Sequence, residues 1–244
     1  SALLAGIAAT IGAVVQGGSV TNTIGKGIVL GEIYNLQAFT ILFVASILVI
    51  ASVLTKYPMP TAFTVVGAVI GSALSFENGI QWSSIQRIAG YWLLIPFLAL
   101  GIGFVISKTL RYFLPKESTK KQVRYITLLM GLFVAYNAGA NSVGLAVGPL
   151  QALDYPILLL LALGGLSILV GAWIFSPRII DAVSFEYSNI GPRRSAAALG
   201  TAAILAQIGI LFGIPISFNE AIIASIIGSG LVVGKSNISK KKLG

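Results

Sequence analysis

Long uninterrupted apolar runs are the feature that most restricts what this chain can fold into. Five runs approach the ~20 residues that a helix needs to cross a bilayer, and they cover residues 2–15, 36–54, 89–110, 156–175 and 195–212. Only 9% of the 244 residues are charged, whereas a soluble domain carries about a quarter. Because the chain lacks the polar residues for a water-facing surface, we predict an all-α, multi-pass integral membrane protein of the cell membrane.

Three further apolar segments contain interruptions. Residues 58–74 and 215–233 begin with proline and small polar residues, and the run 125–150 is split by Tyr-Asn-Ala-Gly-Ala-Asn-Ser at residues 136–142. Irregular backbone at membrane depth is tolerated only where it is buried in protein or lines a polar cavity. We therefore predict broken or re-entrant helices at the midplane in these three places.

The residue types that are missing exclude several functions. The chain has no cysteine and no histidine, which removes thiolate metal sites, disulfides, cysteine nucleophiles and the usual general base. The formal charge of +9 comes mostly from cations that flank apolar segments, without a basic helix or an aromatic platform for bases. We expect neither an enzyme nor a nucleic-acid-binding protein, and no metal or organic cofactor.

The chain matches itself at an offset of 157 positions. The pairs that carry most weight are Pro58 with Pro215, Gly71 with Gly228, and Ser72 with Ser229. Weak internal symmetry of this kind is typical of transporter repeats. We predict a first repeat with a cytoplasmic basic loop at 1–124 and a second at 125–244. In this register the first repeat lacks its first helix, the second lacks its last, and we expect about ten crossings in the intact protein.

The basic residues predict how the repeats are oriented. The segment 111–124 carries five cations and one acid, so the positive-inside rule makes it cytoplasmic. The connection with Arg178, Arg193 and Arg194 is then also inside, while its counterpart with Lys26 and Glu32 is outside. Equivalent loops differ in basic charge, which indicates inverted topology.

Several motifs resemble one family of membrane proteins. The sequence Gly-Ala-Asn-Ser-Val-Gly-Leu-Ala-Val-Gly-Pro at residues 139–149 resembles the second signature of the inorganic phosphate transporter (PiT) family, Gly-Ala-Asn-Asp-Val-Ala-Asn followed by Gly-Pro. Residues 18–28, Gly-Ser-Val-Thr-Asn-Thr-Ile-Gly-Lys-Gly-Ile, resemble the stretch after that family's first signature. Residues 57–64 and 214–221 stand where the family has Leu-Pro-Val-Ser-Thr-Thr-His-Ala. The resemblance covers nearly the whole chain.

The resemblance implies a permease that moves inorganic phosphate by alternating access, coupled to an ion. Sulfate or another oxyanion is the alternative substrate, and a non-transporting, divergent membrane subunit is the alternative class. The expected partners are phosphate or sulfate, the lipid bilayer and, as an open option, a second copy in a homodimer. Either H⁺ or Na⁺ is the coupling ion.

The substrate site is predicted where helices begin inside apolar segments. Unpaired N–H groups and the helix dipole form a positive pole there without a mobile cation. The candidate substrate-binding residues are Thr61, Thr64, Gly139, Ala140, Asn141, Ser142, Ser217 and Asn219. Glycine and alanine permit close backbone approach, and an asparagine donates to an anion or accepts from a cation shell. The alternative is that these small residues serve helix packing alone.

Departures from the family pattern bear on ion coupling. The family's Asp is Ser142 here and its second Asn is Leu145, so proton coupling is favoured over sodium in this half. Glu220 lies three residues into an apolar segment, where a lone carboxylate is costly. It is our candidate for ion coupling, together with Asn141. The alternative for Glu220 is an acid that only complements the helix dipole. The three tryptophans, Trp82, Trp92 and Trp173, lie near predicted segment ends and are expected to anchor the protein at the interface.

Overall fold

The computed structural model describes residues 2–55, 59–114, 120–153, 155–187 and 191–232. In that part of the chain, eight helices and two short strands are present. The helices are α1 Ala2–Lys26, α2 Asn35–Thr55, α3 Thr61–Ser75, α4 Trp82–Phe113, α5 Lys120–Gln151, α6 Ile157–Tyr187, α7 Pro192–Leu211 and α8 Phe218–Leu231, and the strands are β1 Val29–Leu30 and β2 Gly79–Ile80.

Six of these helices are long and apolar enough to cross a bilayer. They are α1, α2, α4, α5, α6 and α7, whereas α3 and α8 are apolar but shorter. Large apolar side chains point away from the bundle, and on α4 Leu93 is 73% exposed and Phe97 76% exposed. A face of this kind suits hydrocarbon rather than water. The all-α membrane class is confirmed.

The predicted interruption of α5 is wrong. A single helix runs from Lys120 to Gln151 through the segment 136–142. Within it the Asn137 side-chain Nδ2 donates to the Phe133 carbonyl one turn earlier, at 2.8 Å. A Cβ on Gly139 would collide with the Ala9 carbonyl of α1. The small residues therefore let a neighbouring helix approach, and they do not unwind α5.

Helices α1 and α5 lie side by side and run in the same direction. A Cβ on Gly12 of α1 would collide with the Tyr136 carbonyl, and a Cβ on Gly148 of α5 would lie 2.5 Å from the Ile24 side chain. Residues later in α1 thus contact residues later in α5, so the two helices are parallel. Helix α6 packs mainly against α1, and α7 packs mainly against α5.

Two helical hairpins open toward opposite ends of the bundle. We call α2 with α3 hairpin 1, and α7 with α8 hairpin 2. At the open end of hairpin 1, β1 pairs antiparallel with β2, and the Gln37 Nε2 donates to the Asn78 Oδ1 at 2.7 Å. At the open end of hairpin 2, Arg194 donates to the Ser229 hydroxyl at 3.3 Å and to the Ile226 carbonyl at 3.2 Å.

Helix α4 connects these two ends. It begins at Trp82 directly after β2, and near its other end Arg111 donates to the Val232 carbonyl at the end of α8, at 3.2 Å. Its 32 residues span roughly 48 Å. The hairpins therefore open at opposite ends of α4.

The hairpins also share the spacing found in the sequence. The starts of α2 and α7, at Asn35 and Pro192, are 157 positions apart, and so are the starts of α3 and α8, at Thr61 and Phe218. The division of the chain at residue 124 and the inverted relation stay predictions. Pro58, residues 115–119 of the basic loop and residues 233–244 lie outside the described residues.

Gly71 and Gly228 test the packing of the hairpins, since they occupy equivalent positions. A Cβ on Gly228 would collide with the Leu100 carbonyl of α4, whereas a Cβ on Gly71 meets nothing within 4 Å. We expect Gly228→Ala to lower the thermal unfolding temperature in detergent. Gly71→Ala is the matched control and should leave it unchanged or raise it, because alanine is favoured over glycine in helices by up to ~1 kcal/mol. Equal effects of the two substitutions would contradict this packing.

Candidate functional site at the hairpin tips

The closed tips of both hairpins meet at one residue of α4. The indole Nε1 of Trp92 donates to the Pro215 carbonyl in the segment that leads into α8, at 2.7 Å. The ring of Trp92 lies 4.1 Å, centroid to centroid, from the ring of Phe63 in the first turn of α3. The beginnings of α3 and α8 therefore lie against the same side chain.

The tip of hairpin 2 turns sharply after α7. Gly213 adopts a φ of +65°, a left-handed conformation that favours glycine. Its neighbour Ile214 donates its N–H back to the Gly209 carbonyl at 2.8 Å, which closes the end of α7. A Cβ on Gly213 would lie 2.7 Å from the Thr23 hydroxyl of α1, so the turn sits directly against α1.

Asn141 of α5 holds the backbone just before α8 begins. Its Nδ2 donates to the Ile216 carbonyl at 3.2 Å, and its Oδ1 accepts from the Ile216 N–H at 3.0 Å. Ile216 is only 2% exposed, so water does not replace these bonds. Asn141 thereby supplies the hydrogen bonds that the backbone loses where the helices are interrupted.

Helix α8 starts from a buried side-chain cap. Ser217 is 3% exposed, and its hydroxyl accepts from the Glu220 N–H at 3.5 Å. The N–H groups of the first turn of a helix lack partners within the helix. The start of α8 is therefore a positive pole directly beside Asn141.

The described residues at the tip of hairpin 1 make different contacts from those of hairpin 2. Helix α3 follows Pro60, which offers no side-chain cap. The Thr64 hydroxyl donates to the Thr61 carbonyl within the first turn at 2.8 Å. Thr64 is buried and Thr61 is exposed. Both threonines thus belong to the start of α3, across Trp92 from Ser217.

The other predicted site residues occupy different environments. Gly139 and Ala140 are buried, and Gly139 faces the α1 backbone. Ser142 and Glu220 are half-buried, and Asn219 is exposed. The structure thus groups Asn141, Ser217 and Glu220 at one tip, while the position of Gly139 serves helix packing.

The sequence reasoning missed two residues of this region. Trp82 and Trp173 are 59% and 72% exposed, whereas Trp92 is half-buried between the tips; the role of all three as anchors stays a prediction. Asn137 is fully buried, and its Oδ1 has no hydrogen-bond partner in the described part of the chain. Its spacing of four residues from Asn141 places both amides on one helix face, a signal that was readable from the sequence.

A pair of side-chain amides links α1 to α7. The Gln207 Nε2 of α7 donates to the Gln16 Oε1 of α1 at 3.1 Å. Both side chains are half-buried. Polar side chains of α1, α5 and α7 therefore lie inside a largely apolar bundle. Burying them there costs free energy unless they are hydrogen-bonded or serve a function.

Asn141 and Asn137 make a matched pair for testing the tip. Asn141→Ala leaves the Ile216 N–H and carbonyl unpaired in a buried position, at a cost of about 1–3 kcal/mol for each group. Asn137→Ala removes one bond within α5 and should cost less. We expect Asn141→Ala to lower the thermal unfolding temperature in detergent more than Asn137→Ala does. The opposite order would show that the bonds to Ile216 do not hold the tip.

Comparisons with known proteins identify the family of this chain. A profile described as the phosphate transporter family matches residues 1–127 and 114–244. The sulfate permease CysP of Bacillus subtilis (strain 168) is 30% identical over 248 residues, which covers 99% of this chain and 69% of that protein. The solved structure of a protein named the sodium-dependent phosphate transporter superposes with a TM-score of 0.85 at 21% identity, covering 98% of this chain and 82% of that one.

These matches agree with the resemblance carried by the sequence motifs. The family and the related fold are those of transporters and not of enzymes, so the expectation that the chain is not an enzyme is confirmed. The six apolar helices make it a multi-pass integral membrane protein. The chain belongs to the phosphate transporter family.

Proposed function

We propose that this protein is a secondary active transporter that moves inorganic phosphate across the cell membrane by alternating access between two inverted halves, coupled to an ion. The observation that carries the proposal is the meeting of two interrupted hairpins at Trp92. Discontinuous helices whose beginnings face each other inside a bundle are the usual substrate sites of secondary transporters.

The charge distribution around hairpin 2 favours binding of an anion that the protein must also release. Arg111 and Arg194 bind the C-terminal end of α8, and that helix has 14 residues, or roughly 21 Å. Neither arginine therefore reaches the tip at Ser217, where the helix dipole and the N–H groups of the first turn form a positive pole. A pole of this kind attracts an oxyanion without the strong ion pair that would slow its release.

Three observations support the inverted relation of the halves. The helix starts in the two hairpins are 157 positions apart, and the hairpins open toward opposite ends of α4. The basic residues of equivalent loops differ as inversion requires. In such an arrangement, movement of one half relative to the other opens a site near the midplane to each side in turn.

Phosphate is the first substrate candidate and sulfate the second. The family description and the name of the protein with the related fold both mention phosphate, whereas the relative at 30% identity is named a sulfate permease. Phosphate keeps a proton at neutral pH and sulfate does not. A carboxylate at Glu220, in the first turn of α8, would accept a hydrogen bond from a protonated phosphate and repel sulfate.

Glu220 is also the proposed coupling group. It is the acidic residue in the first turn of α8 and lies one turn from the cap at Ser217. Ser142 stands in α5 where the family motif has Asp, which weakens sodium binding in this half. We propose that a proton is the coupling ion, with Na⁺ as the alternative, and homodimer formation stays a prediction.

Uptake into liposomes tests the substrate. Purified protein should accumulate labelled phosphate when the liposomes carry an inward proton gradient, and unlabelled phosphate should compete better than sulfate. Asn141→Ala should reduce uptake strongly, because the tip of hairpin 2 loses its support, while Asn137→Ala should retain more. Stronger competition by sulfate would assign the sulfate candidate. If neither anion moved under any proton or sodium gradient, the protein would be a non-transporting subunit.

Glu220→Gln tests the coupling ion in the same liposomes. The variant keeps the size of the side chain and loses its exchangeable charge, so proton-driven accumulation should disappear while phosphate exchange is partly retained. Glu32→Gln is the matched control, because Glu32 is exposed in the connection after β1, and it should behave as the parent protein. An unchanged dependence on the proton gradient in Glu220→Gln would exclude Glu220 from coupling.

A further inference from the structure

Trp92 stands at the boundary between two apolar clusters. One cluster comprises residues of α1, α2, α3, α5 and the β1 region, with Ile88 of α4 and Ile210 and Ile214 of hairpin 2. The other comprises residues of α4, α7 and α8 with Ile216, which precedes α8. Trp92 packs against both. Its side chain is therefore placed where hairpin 1 and hairpin 2 adjoin.

The two contacts of Trp92 differ in kind. On the side of hairpin 2, the indole N–H is hydrogen-bonded to the Pro215 carbonyl. Pro215 is buried, so loss of that bond would leave an unpaired carbonyl. On the side of hairpin 1, the contact is the tilted packing of two rings, with Phe63 at 40° to Trp92. Ring packing tolerates sliding and rotation that a hydrogen bond does not.

Helix α4 is fixed to hairpin 2 at other points as well. The Tyr91 hydroxyl donates to the Leu205 carbonyl of α7 at 2.7 Å, and Arg111 donates to the Val232 carbonyl at the end of α8. A Cβ on Gly228 of α8 would collide with the Leu100 carbonyl. Trp92 is thus attached firmly to hairpin 2, and its adjustable contact is the one with Phe63.

We propose that Trp92 is a positioning residue that couples the two hairpin tips, so that displacement of the hairpin 1 tip at Phe63 is transmitted to the start of α8. This inference rests on the proposed transport function. A shift of the Phe63 ring moves the indole, and the indole moves the Pro215 carbonyl. Ile216 and Ser217 follow directly along the chain, so the start of α8, where we propose that the anion binds, changes position.

Thiol labelling tests the coupling without any substrate. The chain has no cysteine, and Asn219 is exposed in the first turn of α8, so Asn219→Cys reports on the tip of hairpin 2. We expect Phe63→Leu, a change in hairpin 1, to alter the labelling rate of Asn219→Cys by about threefold or more, as coupled residues show non-additive effects. In a Trp92→Phe background, which removes the N–H donor, Phe63→Leu should have no further effect.

Tyr91→Phe is the matched control for this cycle. It removes a hydrogen bond between α4 and hairpin 2 but leaves both the Phe63 ring contact and the Pro215 bond of Trp92. The effect of Phe63→Leu on labelling should therefore persist in Tyr91→Phe. Persistence of the effect in Trp92→Phe, or no effect of Phe63→Leu in the parent, would overturn the proposal.

Tryptophan fluorescence supplies a second readout that keeps Trp92 intact. Trp82→Phe with Trp173→Phe replaces two exposed side chains and leaves Trp92 as the only tryptophan, since the chain has three. Saturating phosphate or sulfate should shift or quench its emission, and Phe63→Leu should diminish that response. Uptake in this variant without any change in Trp92 emission would overturn the coupling and retain the transport function. Coupling seen by labelling, in a protein that transports neither anion, would retain the coupling and reject transport.

Discussion

The need to satisfy backbone hydrogen bonds inside an apolar bundle governs this structure. A helix that stops and restarts there leaves N–H and carbonyl groups without partners, and water is not available to replace them. Asn141 supplies both bonds for Ile216, and Trp92 supplies the donor for Pro215. These two side chains make the interruption between α7 and α8 stable. The start of α8, where we propose that the anion binds, exists because of them.

Much of the architecture was predictable because it follows from length and composition. Apolar runs and the prolines before α3 and α8 indicated the spanning helices and both hairpins. The segment 136–142 was misinterpreted because Gly, Asn and Ser favour turns in water. In the bundle, Gly139 allows α1 to approach and Asn137 bonds to its own helix. Which of these meanings applies depends on the neighbouring helix, and a single sequence does not specify that neighbour.

The candidate site was predictable by residue type but not by partner. Asn141 and Ser217 were identified as polar residues at membrane depth, and both lie at the tip of hairpin 2. The atoms that Asn141 binds belong to a backbone 75 positions away, which no local pattern reveals. The apolar run begins at residue 89 and predicts Trp92 near a helix end, whereas α4 begins at Trp82. That earlier start leaves Trp92 ten residues inside the helix, within reach of both hairpin tips.

The two hairpins share a repeat spacing, but the described residues of their tips differ in the contacts that they make. Hairpin 2 has the Ser217 cap, the Asn141 bonds and the Trp92 bond, whereas α3 follows Pro60 without a side-chain cap and meets α4 through the ring of Phe63. Equivalent hairpins whose tips make different contacts need not move equally. The hydrogen bonds at the tip of hairpin 2 preserve the geometry of the start of α8, where we propose that the anion binds. The tip of hairpin 1 meets α4 through a ring contact, and the coupling that we propose passes through that contact, from Phe63 to Trp92 and on to the start of α8.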